Sequence, residues 1–197
     1  ARNETDPPHI ILMPEVPFAK KKFIDKVKQT VANEGFCVVV ASEGTRYKNG
    51  MFLADSGLTD AFGHKQLGGV APVLAQMISS IGLKNHWAVS DYLQRSARHI
   101  SSKTDLDQAY AVGKKAVEYA LAGKNAVMPV IKRLSDKPYK WKIESASLSK
   151  VANVEKTLPK GYISKDGFRV TSKGLDYLRP LIQGETPISY KDGIPVV

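Results

Sequence analysis

An α/β fold, an open and mainly parallel sheet with helices on both faces, is predicted by three features of the sequence. Short apolar runs alternate with stretches of helical periodicity along the 197 residues. The runs are continuous in apolar character rather than alternating, as strands covered on both faces are. Pro or Gly closes element after element, from Pro14 through Gly35 and Gly82 to Gly123.

The elements follow in order. His9 to Met13 is a compact apolar run closed by Pro14 and reads as a buried strand. A helix is expected from Phe18 to Asn33, with Phe23, Val27 and Val31 on one face, lysines on the others and Gly35 at the C-terminal cap. Phe36 to Ser42 is the next strand, apolar enough to be buried on both faces. The polar, Gly-bearing stretch from Glu43 to Gly68 reads as a long functional loop. Gly69 to Ser80 is a helix with Val70, Val73, Leu74, Met77 and Ile81 on its apolar stripe. His86 to Leu93 reads as a strand. Thr104 and Asp107 have the spacing of a capping box and open a helix to Leu121. Asn125 to Leu134 is a buried strand, Tyr139 to Glu144 an edge strand, Gly161 to Val170 a hairpin and Ser172 to Ile182 a short helix. Met51, Met77 and Met128 read as core fillers.

Composition narrows the class. Hydrophobic residues make up 43% and charged residues 24%, which is globular rather than disordered. No apolar run approaches the ~20 residues of a membrane-spanning helix, so no membrane association is expected. The start, Ala1-Arg2-Asn3-Glu4, has no signal-peptide pattern and reads as a chain entered midway. Cys37 is the only cysteine, so no internal disulfide forms. Its apolar neighbours predict a structural thiol in a reducing, cytoplasmic setting. The formal charge of +10 suits a polyanionic partner. The lysines are scattered, Lys20 to Lys22 being the densest run, and are not interleaved with aromatics on one face. A phosphorylated small molecule therefore fits better than nucleic acid.

In open α/β sheets, ligands gather where loops leave the carboxyl ends of strands. Two places there carry suitable chemistry: Glu43-Gly44 after the second strand, and Tyr92-Leu93-Gln94-Arg95 after the strand from His86. A carboxylate accepts hydrogen bonds from sugar hydroxyls, and a planar guanidinium holds a phosphate with two parallel donors. On spacing alone, Glu43 is equally a solvated loop residue or helix cap, and Arg95 equally half of a surface ion pair. Pro14-Glu15 is either a ligand-binding or a helix-capping position. There is no Gly-x-Gly-x-x-Gly, Walker loop, Gly-x-Ser-x-Gly or His-Glu-x-x-His. His9, His64, His86 and His99 lack metal-ligand spacing, and His64 reads as a loop or packing residue.

At these same residues the sequence resembles the phosphofructokinase family, over most of the chain. The matching stretches are Ile11-Leu12-Met13-Pro14-Glu15-Val16-Pro17-Phe18, Val38-Val39-Val40-Ala41-Ser42-Glu43-Gly44, Phe62-Gly63-His64 and Leu67-Gly68-Gly69. The most specific is Tyr92-Leu93-Gln94-Arg95-Ser96-Ala97-Arg98-His99, followed by Asp105 and the helix Ala109 to Gly123. Their order and spacing carry the likeness.

The resemblance implies a phosphofructokinase-like fold and the carboxy-terminal half of such a protein, lacking the amino-terminal half that binds the phosphoryl donor. It implies that Glu43 contacts the hydroxyls of fructose 6-phosphate and that Tyr92, Leu93, Gln94 and Arg95 lie at the 6-phosphate end. Many ATP-using relatives carry His where Tyr92 stands, which points to the pyrophosphate-dependent branch. They also carry an Arg nine residues before Arg95, reaching from a neighbouring subunit; His86 occupies that position here, with Lys84 close by.

The implied division is residues 1–95 as a sugar-phosphate-binding domain, 96–135 as a helix and strand packing with the missing half, and 136–197 as an extension returning to the sheet. The implied partners are fructose 6-phosphate, pyrophosphate or ATP, that missing amino-terminal half and further copies in a homo-oligomer. The implied cofactor is Mg2+, bound mainly by the missing half, which would also hold the catalytic Asp. This chain alone is then expected to be inactive. The other readings are an ATP-dependent 6-phosphofructokinase and a noncatalytic sugar-phosphate-binding regulatory subunit.

Overall fold

The computed structural model describes residues 6–59, 65–67, 69–159 and 161–196. The chain divides into two compact units, Ala1–Ser90 with Leu158–Thr171, and Asp91–Thr157 with Ser172–Val197.

The first unit holds the buried apolar core. Strand β1 (Ile10–Leu12) pairs in parallel with β2 (Val39–Ala41), Ile10 opposite Val39 and Leu12 opposite Ala41. Helix α1 (Lys20–Glu34) makes the crossover between them. Its buried face is Phe23, Val27 and Thr30, one turn apart, with Val31 partly buried beside them. It ends as expected at Gly35, whose φ is 79° and whose N–H donates to Val31 O. Helix α2 (Val70–Ser79) adds Val70 and Leu74 to the same core, and Met77 packs against it.

Several expectations need correction. Strand β2 is not covered on both faces: Val39 and Ala41 face the core, while Phe36, Val38 and Val40 are exposed. An apolar run records that a strand can be covered twice, not that it is. Met51 is likewise exposed. The stretch after Glu43 is not one long loop, because it contains β3 (Asp55–Thr59) and β4 (Lys65–Leu67), an antiparallel pair. Phe62, Gly63 and His64 lie outside the described residues. No strand forms over 86–93: residues 83–90 pair with no strand among the described residues, and Trp87 and Val89 are 56% and 53% exposed. A strand needs a neighbour to satisfy its backbone, and composition cannot supply one. Parallel pairing is therefore carried by β1 and β2 and by the Phe18–Tyr47 bridge, and the remaining paired strands described are antiparallel.

The segment 158–171 joins this first unit. Ile11 N donates to Phe168 O, and Phe168 is buried in the core. The expected hairpin forms, with Ile163 opposite Val170 and a turn closed by Gly167 N to Ser164 O. Gly167 has φ 76°, and a Cβ there would lie 2.9 Å from Val16 Cγ1, so both backbone and space call for glycine. Asp166 holds the turn together. Burial opposes its ionisation, but Ser164 Oγ, Phe168 N and the Lys26 ammonium outweigh that and hold its carboxyl below the usual range. A carboxylate held low in the fold contributes stability that is fully present above its unfolded value and lost as pH falls through the lowered folded value. Asp166→Asn should therefore lower the denaturation midpoint at neutral pH, and parent and variant should converge well below about pH 4. A gap that persists unchanged into acid would contradict this.

In the second unit a one-turn helix α3 (Leu93–Ser96) leads into the long helix α4 (Lys103–Leu121). The cap of α4 is Ser102, whose Oγ accepts from Asp105 N, and not Thr104. Thr104 Oγ1 turns instead to Gln183 O. Strands β5 (Val127–Asp136) and β6 (Tyr139–Ser147) form an antiparallel hairpin. Buried Gln108 ties α4 to it by donating to the Tyr139 hydroxyl. Helix α5 (Ser172–Leu178) docks through Arg133, whose guanidinium lies 4.8 Å from the Tyr139 ring centre and 4.5 Å from that of Tyr177. A two-residue pair, β7 (Tyr190–Lys191) with β8 (Ile194–Pro195), ends the chain. Tyr110, Val117 and Leu121 on α4, with Ile131 and Leu134 on β5, stay exposed.

Candidate functional site

Glu43 stands in the turn directly after β2, exposed. The turn around it is tightly held. Ser42 N donates to Leu12 O of β1, Gly44 N to Ser42 Oγ, and the buried Thr45 hydroxyl to Ser42 O. A short strand pair and one buried threonine thus present a carboxylate to solvent at the carboxyl end of β2.

Lys84 and His86 are also exposed, on the segment after α2. Asn85 between them is the anchor: its Nδ2 donates to Ser79 Oγ and to Ala75 O at the end of α2. Its short polar side chain beside a helix end was the signal that sequence reading passed over.

Tyr92, Leu93, Gln94 and Arg95 do not follow a strand. They follow a turn in which Asp91 has φ 42°; Tyr92 stands at the N-cap of α3, and Leu93, Gln94 and Arg95 lie in its single turn. Tyr92 and Leu93 are 67% and 69% exposed. The structure brings Tyr92 and Arg95 together, the guanidinium carbon lying 5.1 Å from the ring centre. A guanidinium held over a ring can still turn its N–H groups to an anion in its plane. Glu43, Lys84 and His86 belong to the first unit, and Tyr92 to Arg95 to the second.

Glu15 caps no helix. Its Oε1 accepts from Leu158 N, and its Oε2 is buried with no hydrogen-bond partner among the described residues. Cys37 is half-buried, and burial pushes its thiol up despite Thr30 and Lys26, which fits a structural thiol. Among the described residues, no group of three or more His, Cys, Asp or Glu could hold a metal ion. No described helix is long and apolar enough to cross a membrane.

No protein-family model matches the chain. Individual relatives do. The chain is 57% identical, over all 197 residues, to a pyrophosphate--fructose 6-phosphate 1-phosphotransferase of Halomonas elongata, covering 47% of that protein. It is 56% identical to a protein of the same name from Xanthomonas campestris, over 96% of this chain and 46% of that one.

The chain belongs to the phosphofructokinase family.

A solved relative supports the fold as well: a pyrophosphate-dependent phosphofructokinase from Marinobacter aquaeolei superposes with a TM-score of 0.80 at 51% identity, over 100% of this chain and 46% of that one. The α/β fold is thus phosphofructokinase-like, and the chain corresponds to the carboxy-terminal half of such a protein. It spans about half the length of the curated relatives it matches. Phosphofructokinase membership accounts for the order of the motifs around Glu43 and Tyr92 to Arg95.

Proposed function

We propose that this chain supplies the fructose 6-phosphate side of a pyrophosphate-dependent phosphofructokinase. The reaction moves a phosphoryl group from pyrophosphate to the 1-hydroxyl of fructose 6-phosphate. The carrying observation is 57% identity along the whole chain to a protein of that named activity. The donor is pyrophosphate rather than ATP, in keeping with Tyr92 where many ATP-using relatives have His.

The roles follow from side-chain chemistry. Glu43, held out by the Ser42–Thr45 turn, accepts hydrogen bonds from fructose hydroxyls and orients the ring. Arg95 holds the 6-phosphate through its edge N–H groups, with Tyr92 stacked against it and Leu93 and Gln94 setting its place in the helical turn. Lys84 and His86 are weaker candidates for the same anion. Phosphoryl transfer depends on positioning and on electrostatics more than on covalent chemistry from the protein. Positioning of the sugar phosphate is what this chain contributes in that reading. The base that takes the hydroxyl proton, and Mg2+, are assigned to the other half.

Residues 1–95 form the sugar-phosphate domain in this reading, and 136–197 an extension returning to the sheet. Residues 96–135 present their apolar surface to the donor-binding half; the exposed Tyr110, Val117 and Leu121 of α4 support that arrangement. The whole protein is a cytoplasmic homo-oligomer.

The test is an assay of the full-length protein with fructose 6-phosphate, Mg2+ and either donor. Turnover with pyrophosphate and none above background with ATP is expected, and no turnover from the 197-residue chain alone. Turnover with ATP only would overturn the donor; none with either would favour a noncatalytic sugar-phosphate-binding subunit. Activity of the chain alone would show the other half to be dispensable.

A further inference from the structure

The turn that carries Tyr92 and Arg95 has little to hold it in place. Its own hydrogen bonds are short-range: Arg95 N and Ser96 N donate to Tyr92 O, Ile100 N to Ala97 O and Ser101 N to Arg98 O. A single helical turn does not support itself in water. Burial does not hold it either, since Tyr92 and Leu93 are largely exposed. Among the described residues, the hydrogen bonds that tie 91–101 to a distant part of the chain run through one residue, Thr186.

Arg98 Nη1 donates to Thr186 O at 3.0 Å and to Thr186 Oγ1 at 2.9 Å. The same hydroxyl donates onward to Ser101 O at 3.0 Å. One threonine thus accepts from the residue at the start of the 98–100 turn and donates to the carbonyl just past its end. A hydroxyl has one proton and two lone pairs, so it can do both at once.

The chain just before Thr186 is fixed to the start of α4. Lys103 N donates to Gly184 O, Thr104 N to Gln183 O, and Ser102 Oγ to Leu181 O. Lys103 N and Thr104 N are amides that a helix start leaves without internal partners. The fit is close: Gly184 has φ 79°, and a Cβ there would lie 2.6 Å from Lys103 Cβ.

We propose that Thr186 is a positioning residue for the sugar-phosphate site: through Arg98 it fixes the turn that presents Arg95. The proposal rests on the reading of Arg95 as the phosphate anchor. Arg98 lies one turn beyond Arg95, so slack at Thr186 displaces the guanidinium, and small misplacements of a binding group are costly.

Two measurements test this. In the full-length protein, Thr186→Val should speed amide hydrogen exchange across 92–101, and Thr186→Ser, which keeps the hydroxyl, should not; unchanged exchange in the Val variant would overturn the proposal. In the full-length protein, Thr186→Val should raise KM for fructose 6-phosphate about threefold to tenfold, the range of one or two ordinary hydrogen bonds. KM for pyrophosphate should hold, kcat should fall by a smaller factor than this KM rises, and Thr186→Ser should restore the parent values. A loss of kcat with KM unmoved would mark Thr186 as merely structural and overturn the proposal. Arg98→Met, which keeps the stem and loses both bonds that Nη1 donates to Thr186, gives the same readout if the Val variant does not fold. Arg95→Ala separates the two ideas. If it raises this KM while Thr186→Val does not, the positioning role fails alone. If neither raises it, the phosphate-anchor reading fails, and the positioning role with it.

Discussion

Arg95→Ala in the full-length protein is expected to raise KM for fructose 6-phosphate by about tenfold to a hundredfold, since a hydrogen bond to a charged group is worth about 1.5–3 kcal/mol. Turnover should fall as well, by a smaller factor, because an unanchored phosphate leaves the reacting hydroxyl less well oriented. KM for pyrophosphate should not move. Arg95→Lys should recover only part of the loss: the ammonium keeps the charge but has neither the planar fork nor the stacking on Tyr92. Steady-state kinetics with each substrate varied in turn decides the matter. Constants within twofold of the parent would remove Arg95 from the site.

The second large effect is on stability. Phe23→Ala should cost about 3–5 kcal/mol, a large share of a domain's total. Phe23 is 0% exposed, on the face of α1 that covers β1, and its ring centre lies 5.5 Å from that of Phe18. Phe18 in turn meets Tyr47 edge to face at 5.7 Å, so the ring is enclosed by a packed aromatic cluster that cannot simply collapse into the void. Urea titration of the chain, followed by circular dichroism, should show a clear drop in midpoint. Val40→Ala, on the exposed face of β2, should stay within about 0.5 kcal/mol. Equal losses at the two positions would mean that the core lies elsewhere.

Phe23 was legible because helical periodicity sets it one turn from Val27, and a stripe of that kind has to be buried. Gly35 was legible because a left-handed cap favours a residue without Cβ. The same reasoning misplaced Thr104 by two residues, since Ser102, Thr104 and Asp105 all suit a helix start and the nearby tail decides between them. It also read 86–93 as a strand. Apolar composition shows what a segment can tolerate, and pairing depends on whether a neighbouring backbone is there to meet it. Arg95 was singled out through the order of motifs, whereas its approach to Tyr92 follows from the helical turn that replaced the expected strand. Asn85 and Thr186 were missed: a lone Asn or Thr carries no periodic signal, and Thr186 acts across 88 residues.

By itself, then, the sequence determined the α/β class, the family, the faces of α1 and α2, and the residues whose chemistry suits a phosphorylated sugar. These depend on local spacing or on residue type, both of which a linear text preserves. Only the tertiary structure decided which face of β2 is covered, that Glu15 receives the Leu158 amide, and that Thr186 meets Arg98 and Ser101. Each of those depends on a partner far away in the chain, and hydrogen bonds between such partners leave no mark on the spacing of either one.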